Sequence, residues 1–201
     1  MRQRKPVFLV VLFLTLMLSI QPPFAIHFAR HSIDTLTKDS LEAETKIRCS
    51  AALERLSSSL SKEHSQRLID SLSLTLSHSS DPSVTHYVSV AFFSLSSRED
   101  CLSMLARSEE IHKLLISMMR GAPGETQIHG AKALCNLTCD EECARLLLKT
   151  GHVSDFVVIA ILRTNSSLIK EICAQSLFNL LHHESLREEM VDSGVLWAGK
   201  F

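Results

Sequence analysis

The chain has 201 residues, a formal net charge of −1, and 45% hydrophobic against 21% charged residues. The near-neutral balance gives no global sign of a nucleic-acid binder or of an acidic ligand, and the length allows one or two small domains with a sizeable core. Only 6 Gly and 5 Pro punctuate a chain rich in Leu, Ser and Ala, which excludes an all-β organisation and predicts an all-α one.

In chain order, the first element is a leader. Arg2-Gln3-Arg4-Lys5 precedes an apolar run, Val7–Ile20, and then a break at Gln21-Pro22-Pro23. A basic start, a short apolar stretch and a polar stop predict a signal peptide or an uncleaved signal anchor over residues 1–25. A buried first helix is the third reading of the same run. The first two readings place the chain in the secretory pathway or on a membrane, touched only through this leader. The third places it in the cytoplasm or nucleus.

The rest of the chain repeats itself. Ala133–Val153 aligns without a gap on Ser176–Leu196, 43 residues later, with Leu134 on Leu177, Asn136 on Asn179, Leu137 on Leu180 and Gly151 on Gly194. Moving 42 residues back places Leu95 on Leu137 and Cys101 on Cys143. Small residues recur three before the Asn column (Ala91, Ala133, Ser176) and five before it (Ser89, Ala131, Ala174). Small positions let helices approach closely, and the leucines between them fill the space. A period near 40 with this spacing predicts stacked helical units, each burying its apolar face on the next. The copies run over about 26–60 (partial), 61–97, 98–139, 140–182 and 183–201 (truncated). Asp81-Pro82 marks the start of a third helix, Gly121–Glu125 a break, Gly151 a helix end, and Ser166 or Ser167 a helix cap.

The unit resembles the armadillo repeat: a short helix, a Gly corner, a second helix, and a third helix ending in small-x-x-Leu-x-Asn-Leu. The resemblance implies a right-handed α-α superhelix whose third helices line a concave face. It implies a non-enzymatic interaction scaffold, and its partner would be another protein, met as an extended or helical segment, with no nucleic acid and no cofactor. The residues it places on that face are Ile128, Lys132, Asn136, Glu171, Gln175 and Asn179. Asn136 and Asn179 match the family's peptide-clamping asparagines, and bonding to nearby backbone at a helix end is their structural alternative. The family's Trp, four residues before Asn, is replaced by Lys132 and Gln175, which argues against basic-peptide recognition of the nuclear-import kind.

Other chemistries find less support. GxSxG, a phosphate-cradling Gly loop and HExxH are all missing, so no catalytic residue is assigned. His182-His183-Glu184 falls at a third-helix end and reads as a polar corner. Cys135, Cys139 and Cys143 suggest a metal or redox site, but Cys135 aligns with Phe93 and Phe178, and Cys143 with Cys101 and Leu186. Those apolar columns predict core thiols and leave only Cys139 exposed, so no metal is assigned. Of the two sequons, Asn165 falls in a predicted turn and Asn136 in a predicted helix. The array stops soon after Gly194, which makes a fragment or subunit of a larger helical-repeat assembly the alternative function.

Overall fold

The computed structural model describes residues 60–77, 82–121, 124–151 and 163–192, together with Ser57 and Ala160. The leader, most of the 26–60 copy, most of the second helix of the 140–182 copy, and residues 193–201 lie outside the described residues. The described residues form helices and contain no strand. They are α1 (Lys62–Ser77), α2 (Pro82–Ser96), α3 (Glu99–Arg107), α4 (Glu109–Gly121), α5 (Gly124–Cys139), α6 (Glu141–Lys149), α7 (Ser167–His182), a 3-10 turn (Glu184–Leu186) and α8 (Arg187–Asp192). No helix among the described residues is long and apolar enough to cross a membrane.

The chain divides into two compact units, Met1–Ala91 and Phe92–Phe201, and the boundary falls within α2. In the first unit, α1 has neither Gly nor Pro to interrupt it and buries Leu68, Ile69, Leu72 and Leu76, the three- and four-residue spacing of one helix face. One continuous helix therefore precedes α2 where the repeat grammar expects two. Pro82 opens α2, where its missing N–H costs nothing.

The second unit holds one complete copy. α3, α4 and α5 pack on one another, and α5 carries the small-residue code. Ala131, Ala133, Leu134 and Leu137 are all buried. Each such leucine contributes about 1.5–3 kcal/mol by leaving water. Gly130 lets α5 approach α4 closely: a Cβ there would stand 3.2 Å from the Leu115 carbonyl oxygen and 3.3 Å from Met118 Cβ. Across the Gly121–Gly124 break, the Gln127 amide donates to the Met119 carbonyl at 3.1 Å.

The next copy stacks in register. First helix α6 packs on first helix α3, and third helix α7 on third helix α5. Helix ends obey local chemistry. Asp140 caps α6 by accepting from the Cys143 N–H at 2.9 Å, which holds the Asp140 carboxyl below its usual range. Gly151 follows α6 with φ +72°, a left-handed conformation that favours glycine. Of the two serines before α7, Ser166 is the cap and accepts from the Ile169 N–H. Cross-repeat hydrogen bonds carry the period directly: Asn136–Ser96, Asn179–Thr138, Arg145–Ser185 and His183–Thr138 span 40, 41, 40 and 45 positions.

Candidate functional site

Stacking α7 on α5 opens a cleft of about 330 Å³ in the second unit. α5 contributes Lys132, Cys135 and Asn136. α7 contributes Leu168, Glu171, Ile172 and Gln175, and Phe93 from the last turns of α2 completes the lining. Four of the six residues assigned from sequence thus converge: Lys132, Asn136, Glu171 and Gln175. Ile128 and Asn179 are half-buried and do not line the cleft.

Asn136 and Asn179 share a role that the sequence reading missed. The Asn136 amide donates to Ser96 Oγ at 3.0 Å and to Ser97 Oγ at 3.3 Å. One repeat later, Asn179 donates to Thr138 Oγ1 at 3.2 Å and to Cys139 Sγ at 3.2 Å. Each acceptor in turn donates back to its own helix: Ser96 and Ser97 to the Phe93 carbonyl, and Thr138 and Cys139 to the Cys135 carbonyl. Those carbonyls sit in last turns, and the Phe93 carbonyl also accepts the Ser97 N–H at 3.2 Å, so the side-chain donors add to the helix's own bonding there. The result is an amide-to-hydroxyl-to-carbonyl relay along the seam, in which each bond polarises the next. Gln175 donates to Asn179 Oδ1 at 2.9 Å and orients that amide. The partners are therefore side chains of the preceding repeat rather than adjacent backbone. The signal was present in the alignment as Ser96-Ser97 over Thr138-Cys139, two and three residues past the Asn column.

The cleft contains an aromatic, but not at the family's position. Phe93 lies one residue before the Asn column. His129 stacks on it with ring centroids 5.8 Å apart, and Lys132 Nζ sits 5.3 Å from the ring centroid, a cation–π contact. Among the described residues, no ion pair reaches Lys132 or Glu171.

This corrects the reading of Cys135. Its column is not core: Phe93 and Cys135 are half-buried cleft residues, and Phe178 is 64% exposed, stacked on His182. An apolar side chain next to the Asn column faces the cleft, and identity alone does not reveal that. Cys143 and Cys173 are core, and burial pushes both thiols up to about 12, far from a reactive thiolate. Cys139 is exposed, and partial burial raises its thiol as well. Among the described residues, no three of His, Cys, Asp and Glu gather where they would hold a metal ion. His183 Nε2 lies 3.0 Å from the Thr138 carbonyl oxygen and His182 lies on Phe178, so the His-His-Glu stretch serves as a corner between repeats. Asn165 is exposed between helices, whereas Asn136 is committed to the seam.

Solved structures with the same architecture decide the fold. A computationally designed armadillo repeat protein made for modular peptide recognition matches with TM-score 0.58 and 18% identity, over 83% of this chain and 71% of its own. The fold is an armadillo-like helical repeat. A designed armadillo repeat protein in complex with a (KR)4 peptide matches with TM-score 0.59 and 19% identity, over 83% of this chain and 70% of its own. An engineered protein matches with TM-score 0.60 and 19% identity, over 94% of this chain and 86% of its own. No protein-family model and no curated protein matches the chain. In this armadillo-like array, α5 and α7 are successive third helices, and the cleft lies on the face where they meet.

Proposed function

We propose that the chain is a non-enzymatic scaffold that binds an extended segment of a partner protein in the cleft between α5 and α7. The observation that carries this reading is the convergence of Lys132, Asn136, Glu171 and Gln175 around one cleft of about 330 Å³. That volume is at the low end of ligand pockets, about 300–1,000 Å³, and has room for a few side chains rather than a folded domain. The designed armadillo structures support the reading, since one was made for peptide recognition and another holds a peptide. The Asn side chains spend their N–H groups on the seam, so affinity comes from the cleft's apolar lining and its charges. Reversing the surface at two positions, Lys132→Glu with Gln175→Glu, is expected to weaken capture of peptides selected on the unmodified chain, with helicity by circular dichroism unchanged. Undiminished capture by the folded double variant would sink the proposal.

A further inference from the structure

The cleft's charges say which segment fits, an inference that rests on the peptide-cleft reading above. Lys132 stands on the α5 side, half-buried, with its ammonium held over the Phe93 ring. Glu171 stands on the α7 side and is exposed. Both line the same cleft, and among the described residues neither forms an ion pair. Between them the lining is apolar: Phe93, Cys135, Leu168 and Ile172.

This arrangement differs from an empty aromatic cage awaiting a cation. The Phe93 ring is already taken by the chain's own Lys132, and its neighbour His129 stacks on it. A ligand ammonium seeking that ring meets like charge. A ligand carboxylate meets a positioned cation, held in place by the ring beneath it, so little side-chain freedom is lost on pairing. Glu171 offers the converse on the opposite side. An extended segment carries side chains on alternate sides, so residues two apart share one face.

We propose that the cleft selects an extended peptide of mixed charge: an acidic side chain paired with Lys132, a basic side chain paired with Glu171, and an apolar side chain seated between them. Complementary charge at both ends fixes the direction and register of the segment, and the apolar lining supplies contact area.

Selection of a random-peptide library on the immobilised full chain tests this. The expected peptides carry an acid and a base, each two residues from a central apolar residue so that all three share one face, and their affinity falls about tenfold on Lys132→Glu. Selection repeated on Lys132→Glu is expected to replace the acid with a base, and selection on Glu171→Lys to replace the base with an acid. Lys113→Glu, on α4 and paired with Glu109 rather than in the cleft, is expected to leave the selected motif unchanged. Peptides that bind but show no acid, or whose acid persists on Lys132→Glu, overturn the charge code and leave the cleft reading standing. Recovery of no peptide at all overturns the cleft reading and the code together.

Discussion

Two successive seams, one on each side of the 140–182 copy, use different chemistry. Where α5 meets α7, Asn179 donates to Thr138 and Cys139, neutral groups that pass the hydrogen bond on to the Cys135 carbonyl. Where α6 meets the turn before α8, Arg145 donates to Ser185 at 3.2 Å, Ser185 donates to Glu141 at 2.6 Å, and Arg145 lies 3.9 Å from Glu189. The first seam is half-buried and depends on geometry, because an amide needs an acceptor at one fixed offset. The second is solvent-facing and depends on charge, which tolerates displacement but is screened. The joint beside the cleft thus has a geometry-fixed tie, while the next joint carries a weaker, adjustable one.

The comparison can be broken at three depths. Leu180→Ala, in the fully buried position next to Asn179, is expected to cost about 2–5 kcal/mol through lost burial and the cavity left behind. Urea unfolding measures it, and a loss near zero would mean that α7 is not packed as described. Asn179→Ala is expected to cost about 1 kcal/mol, insensitive to salt. A double-mutant cycle with Thr138→Val isolates the seam bond, and no coupling between the two sites would remove the relay.

Arg145→Ala is expected to have the smallest effect, fading in high salt. It also fades in acid. The Ser185 hydroxyl, and then Arg145, hold the Glu141 carboxyl below its ordinary range. A depressed folded value contributes stability above the unfolded value, about 4.3, and that contribution is lost as pH falls through the lower folded value. Unfolding midpoints of the parent and Arg145→Ala should therefore converge as pH falls through the lowered Glu141 value, beneath the ordinary carboxylate range. An Arg145→Ala loss larger than that of Asn179→Ala, or one unchanged by salt, would reverse the ranking of the seams.

Much of the repeat was legible because backbone chemistry writes itself into residue type. Gly151 marks a left-handed helix end and Pro82 a helix start, and each is a local event. The small-residue columns at Ala131 and Ala133 were legible for a similar reason, since close helix approach admits few residue types. The site was only partly legible. Lys132, Asn136, Glu171 and Gln175 followed from their spacing on third helices. The Asn–hydroxyl pairing did not, because it joins residues about 40 positions apart that must be read as a pair. Phe93 was misplaced with the core because an apolar column looks the same whether a neighbour covers it or leaves it open. Ala174 and Leu181 make the same point, since they are exposed on α7 although Ala131 and Thr138, their counterparts on α5, are buried.

Asn136 borders the cleft and also holds the seam to Ser96 and Ser97. A cleft ligand that needed this amide would therefore compete with the seam for it. A ligand group that accepts from its amide must take that N–H from a serine of the preceding repeat, and so loosens the joint it rests on.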